Sequence, residues 1–144
     1  MNQPVNRRVA ADVSMHVTVE CFDVRGRAHQ IDTVLGYHRR DAYAVTMTFL
    51  VGQGELTWTF ARDLLARGVN NPTGDGDVLV APGLGPSGRA VVHIDLRSPD
   101  GEILLEAPSA AITEFLLRTC ALVPPGTESG ELDLDGLVRQ LVAG

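Results

Sequence analysis

The sequence predicts an α+β domain of antiparallel sheets with helices packed on one face or at an end. Three observations predict it. Apolar residues alternate with polar ones over several stretches, most clearly Val13, Met15, Val17, Val19 and Cys21 against Ser14, His16, Thr18 and Glu20, the period of a strand with one wet face. Tight glycine turns such as Gly52-Gln53-Gly54 link such stretches, and strands joined that way are antiparallel. The period then changes to helical spacing at Ala61 to Leu65 and at Ala111 to Leu122. A chain of 144 residues has room for one core and not for two. We therefore read residues 13–144 as a single domain behind an aperiodic, flexible tail over residues 1–12.

The elements follow in order. The strand from Val13 to Cys21 ends at a turn over Arg25-Gly26-Arg27, and Ile31 to Tyr37 forms a less regular second strand. Val45, Met47, Phe49 and Val51 alternate with threonines, turn at Gly52 to Gly54, and pair with Leu56, Trp58 and Phe60. From Ala61 the spacing i, i+3, i+4 of Ala61, Leu64 and Leu65 marks a short helix that leaves Arg62, Asp63, Ala66 and Arg67 facing elsewhere. Gly68 is expected to end it as a left-handed residue. Asn70, Asn71, Pro72 and Gly74 make a turn before a strand near Asp77 to Ala81, and two further strands run from Ala90 to Leu96 and from Glu102 to Glu106. Pro108 is placed in the first turn of a helix whose stripe includes Ala111, Ile112, Phe115, Leu116 and Leu122. A last helix carries Leu134, Leu137, Val138 and Leu141, with Asp133 or Asp135 as its cap. The pattern is ββββα-βββα and a final helix, a crude internal repeat.

Composition narrows the function. Net charge is −6, and all twelve basic residues are arginine, as in a GC-rich genome. Residues 1–72 carry eight arginines against seven acids, whereas residues 73–144 carry four against eleven. An acidic second half repels a phosphate backbone, so nucleic-acid binding is confined to the first half. Arg25 and Arg27, with Arg39 and Arg40, bracket the second strand as the candidate rim for a single-stranded nucleic acid, although the few aromatic residues lie on apolar faces. No apolar run approaches the ~20 residues of a membrane span, and MNQPVNRR lacks the apolar region of a signal peptide; a cytoplasmic protein is expected. Cys21 and Cys120 read as two buried thiols.

Catalytic and cofactor motifs are absent or out of context, and we expect no catalytic, cofactor-binding or metal-ligating residues. Gly83-Leu84-Gly85-Pro86-Ser87-Gly88 matches GxGxxG, but a strand rather than a helix follows it, so it reads as a hairpin loop. Without lysine there is no phosphate-binding P-loop. His16 and Glu20 share a strand face about 13 Å apart, too far for one metal. His93 and Asp95 read as a hydrated pair on the wet face, and Asp75 and Asp77 as turn residues.

The stretches WTFARDLLARG with PTGDGDV, RSPDGEILLEAP and FLLRTCALVPPGTE closely resemble the SsgA-like sporulation and cell division proteins of actinomycetes, most of all the SsgB type. The motif residues are Trp58, Phe60, Asp63, Leu64, Leu65, Gly68, Pro72, Gly74, Gly76, Asp77, Glu106 and Pro108. The resemblance implies a Whirly-like fold and a non-enzymatic protein that helps place the tubulin-like division protein at future septa. It implies partners in that protein and in other SsgA-like proteins, self-association as a homotrimer, no nucleic-acid activity, no membrane insertion and no cofactor. Trp58 and Phe60 would anchor the sheet, and Trp58→Ala would cost ~3–5 kcal/mol if the ring is buried. Asp63 is read as the i, i+4 partner of Arg67. The acidic segment Glu128, Glu131, Asp133 and Asp135 is the candidate partner-binding surface, with a solvated linker as the alternative. The alternative function is a Whirly-like single-strand binder using Arg25, Arg27, Arg39 and Arg40.

Overall fold

The computed structural model describes residues 11–131; the expected last helix, with Asp133 and Asp135, lies outside them. The elements are β1 (Val13–Phe22), β2 (Ala28–Tyr37), β3 (Ala44–Val51), β4 (Gly54–Ala61), α1 (Arg62–Gly68), β5 (Thr73–Asp75), β6 (Val78–Leu84), β7 (Ala90–Ser98), β8 (Gly101–Pro108) and α2 (Ser109–Leu122). The eight strands form one antiparallel, curled sheet in the order β4-β3-β2-β1-β8-β7-β6-β5. Four strands and a helix therefore occur twice. The strand missing from the sequence reading is β5, three residues long and set among turn formers, which pairs Thr73 with Val80 and Asp75 with Val78.

The two halves meet along only three register pairs, Glu20 with Glu106, Cys21 with Leu105 and Phe22 with Leu104. The stretch Val13 to Val19 of β1 has no partner on β8, and α2 packs against β1, β7 and β8. Alternation decides which face is dry. Val19, Leu35, Tyr37, Val45, Met47, Val80, Val92, Ile94 and Leu105 are fully buried on the face that Leu65, Ile112 and Phe115 cover from the helices. Threonines occupy the other face of the β3–β4 hairpin, where the Thr48 and Thr57 hydroxyls lie 2.9 Å apart.

Three expectations need correction. Gly68 does not adopt a left-handed conformation: it is the last residue of α1, and Val69 after it is still right-handed at φ −63°. Glycine is required there because a Cβ would lie 2.2 Å from Val80 Cγ1, so the helix sits directly on β6. Trp58 is only half-buried, because β4 is an edge strand with neighbours on one side; Leu56 beside it is 47% exposed. Pro108 closes β8 and caps α2 from outside at φ −59°, ψ 128°, one residue before the helix begins. The turn reading of Gly76 holds: it joins β5 to β6 at φ +60°, a conformation that costs glycine nothing.

Candidate functional site

Arg62 is the residue the sequence reading put outside. The first residue of α1 is only 3% exposed, and its side chain reaches across the core to the end of α2. Nη1 donates to the Thr119 carbonyl at 3.2 Å and to the Val123 carbonyl at 2.7 Å, while Nη2 donates to Glu128 Oε2 at 2.7 Å. The guanidinium carbon lies 4.9 Å from the centre of the Tyr37 ring, within cation–π range. The Tyr37 hydroxyl in turn donates to the Ala42 carbonyl at 2.8 Å.

Each contact has a physical reason. The last carbonyls of a helix have no partner within it and carry the negative end of its dipole, so a guanidinium at that end satisfies them and neutralises the charge. α2 has no basic residue in its own last turn, and Arg62 supplies one from another element. Glu128 sits after the turn at Pro124 to Thr127, where its second oxygen accepts the Gly126 N–H at 2.8 Å. The Arg62 hydrogen bond, followed by backbone donors, holds the Glu128 carboxyl below the usual carboxylate range.

The motif residues divide between core and surface. Phe60, Leu64 and Leu65 are buried. Asp63 pairs with Arg67 at 2.8 Å, both 70% exposed, an ordinary surface helix pair. Asp77 offers its carbonyl to the Arg97 N–H at 2.8 Å, tying the β5–β6 turn to β7. Pro72 and Gly74 lie on the surface of the α1–β6 connection.

Other predicted residues fall elsewhere. Arg25 and Arg27 lie in the β1–β2 turn, where their N–H groups donate to Asp23 Oδ1 at 2.9 and 3.0 Å. Arg39 and Arg40 follow the far end of β2, and the Arg39 N–H donates to Asp12 at 2.6 Å. β2 has ten residues, so about 33 Å of strand separates the two pairs; they do not build one rim. His93 and Asp95 do not pair with each other. His93 faces Glu106 across the ladder at 3.7 Å, and Asp95 pairs with Arg97 at 3.2 Å. Cys21 and Cys120 are half-buried free thiols, and burial, then Asp23, pushes the Cys21 thiol up. Of the acidic segment, Glu128 is held by Arg62, Glu131 ends a short 3₁₀ turn, and Asp133 and Asp135 lie outside the described residues. Among those residues no group of three His, Cys, Asp or Glu is placed to hold a metal, and no helix is long and apolar enough to cross a membrane.

Arg62 thus joins two of the motif stretches, WTFARDLLARG and FLLRTCALVPPGTE. The model of the family "Streptomyces sporulation and cell division protein, SsgA" matches residues 31–128, which contain both. The chain belongs to the SsgA family. It is 52% identical over 110 residues to the sporulation-specific cell division protein SsgB of Streptomyces coelicolor, covering 76% of this chain and 80% of that one. It is 41% identical over 133 residues to SsgB of Kineococcus radiotolerans, covering 92% and 81%. These SsgA-family relatives bear cell-division names and no catalytic ones.

Solved structures agree with the fold. An SsgB structure, from work linking SsgB mutations to longitudinal cell division during sporulation of Streptomyces coelicolor, superposes with a TM-score of 0.79 at 45% identity, covering 83% of this chain and 94% of the other. The crystal structure of an SsgA-like sporulation-specific cell division protein from Thermobifida fusca gives 0.80 at 33% identity, covering 89% and 93%.

Proposed function

We propose that this chain is a non-catalytic adaptor that helps recruit or position the tubulin-like division protein at septation sites during sporulation. The observation that carries the reading is where the family-marking residues sit. Arg62 ties α1 to the end of α2, Leu64 and Leu65 enter the core, and Gly68 sets α1 directly on β6, a structural frame rather than a cleft with a nucleophile and base. A frame of that kind supports work done by its outer surface. The names of the SsgB relatives supply the process, and the cytoplasmic face of the septum is the corresponding place of action. Self-association as a homotrimer and contact with other SsgA-like proteins belong to the same proposal.

The wide separation of the two arginine pairs weighs against the alternative single-strand binder, since backbone tracking needs a continuous basic groove. Deleting the gene in its own organism and imaging the fluorescently tagged division protein tests the adaptor role. Division protein that is made but not arrayed at regular septation sites supports it; undisturbed placement overturns it.

A further inference from the structure

Glu20 and Glu106 stand directly opposite each other where the two halves of the sheet meet. Acidic side chains placed across a ladder destabilise it unless a cation lies between them. Glu106 is the notable one: its side chain is 8% exposed, yet among the described residues nothing hydrogen-bonds to it, and His93 Nε2 stands 3.7 Å away. That nitrogen is itself buried without a hydrogen-bond partner. Native proteins rarely leave buried polar atoms unsatisfied.

Both carboxylates line a cavity of about 280 Å³, with Thr18, Gln30, Ser87 and Arg89. Gly85, Pro86 and Ser87, the middle of the GxGxxG look-alike, form part of its wall. A Cβ at Gly83 would lie 2.8 Å from His93 Nε2, and one at Gly85 3.4 Å from Glu106 Oε1, so the glycines let the hairpin lie close to that nitrogen and to the Glu106 carboxylate. Arg89 lines the same cavity, and among the described residues it makes no ion pair with either glutamate. The space exceeds the ~30 Å³ of one water and falls just short of the ~300–1,000 Å³ of cofactor-sized pockets. It suits one long side chain.

We propose that this cavity receives one arginine side chain of a protein partner, its guanidinium held between Glu20 and Glu106. The planar guanidinium offers five donors in a fixed fork, matching two carboxylates and the Gln30 amide on neighbouring strands. The chain's charge of −6 favours approach of a basic partner.

The test is an NMR titration of the full chain with N-acetyl-arginine amide, which carries a guanidinium and no carboxylate. N-acetyl-glutamine amide serves as the neutral control. Saturable shifts are expected at the amides of Glu20, Gln30, Gly85 and Glu106, with a dissociation constant on the order of a millimolar for so small a probe. Glu106→Gln, which keeps volume, should weaken binding about tenfold or more. Glu20→Gln, at a more exposed position, provides the second reading should the first variant fold poorly. Arg89→Ala should tighten binding about two- to threefold, because it removes a like charge from the cavity. The proposal is overturned by unsaturable shifts, by shifts clustered at distant acids such as Glu114, by unchanged affinity in both glutamine variants, or by weaker binding in Arg89→Ala.

Discussion

Arg62 Nη2 lies 2.7 Å from Glu128 Oε2, 66 residues away in sequence, and the same guanidinium closes the carbonyl end of α2. One side chain ties the first helix, the second helix and the chain leaving it. Arg62→Met keeps most of the stem but leaves the Val123 carbonyl and Glu128 Oε2 without the guanidinium, while the Thr119 carbonyl keeps the Val123 N–H and Glu128 Oε1 the Gly126 N–H. Glu128 is only partly buried and can be rehydrated, so the cost is that of a buried carbonyl left without its donor, about 1–3 kcal/mol, and we expect a loss of that order in urea unfolding. Arg62→Lys should recover only part of it, since a single ammonium does not reproduce the fork.

Acid should loosen the same clamp. The Glu128 carboxyl is held below its usual range chiefly by the Arg62 hydrogen bond, and the Asp23 carboxyl by His29 first and then the Arg27 and Arg25 N–H groups. A folded-state value below the unfolded one means that the unfolded chain takes up protons first as pH falls. The stabilisation is complete above the unfolded values near ~4 and is lost as pH drops through the folded ones. Urea midpoints compared at pH 7 and pH 3 should fall for the wild type. In Arg62→Met the fall should be smaller, because the largest part of the Glu128 contribution is already lost.

Gly68→Ala should destabilise through crowding rather than through backbone strain. The new methyl would sit 2.2 Å from Val80 Cγ1 and 3.0 Å from the Val80 carbonyl oxygen, and overpacking costs about 1–3 kcal/mol or more. Val80→Ala on its own opens a cavity, but combined with Gly68→Ala it makes room for the methyl. Thermal melts of the two single variants and the double should therefore show the double less destabilised than the sum.

Trp58→Ala should cost less than about 3 kcal/mol, below the range for a fully buried tryptophan, because the ring is half-buried on the edge strand β4. Trp58 is the only tryptophan, so the wild-type emission spectrum reports its setting directly. An emission maximum between that of a buried and that of a free indole is expected.

Much of this was legible in the sequence, and the misses share a cause. Strands with one wet face announce themselves by period, as Val13 to Cys21 do, and Ile112, Phe115 and Leu116 mark the buried face of α2 by spacing. Arg62 was not legible, because its burial depends on carbonyls 57 and 61 residues away that no local pattern records. β5 is hidden because three residues are too few to show alternation. The sequence marks Gly68 as special, yet close approach to Val80 and a left-handed cap leave the same letter. The Glu106 cavity depends on strands from both halves of the sheet, and the one local sign of it is the pair of glycines at 83 and 85.

The most direct test of the adaptor reading is co-sedimentation of the purified chain with polymerising tubulin-like division protein, with single-stranded DNA as the parallel ligand in the same buffer. The account predicts enrichment in the polymer pellet and no salt-sensitive DNA binding. DNA binding that weakens as salt rises, with none of the chain in the polymer pellet, would contradict it and return attention to Arg25, Arg27, Arg39 and Arg40.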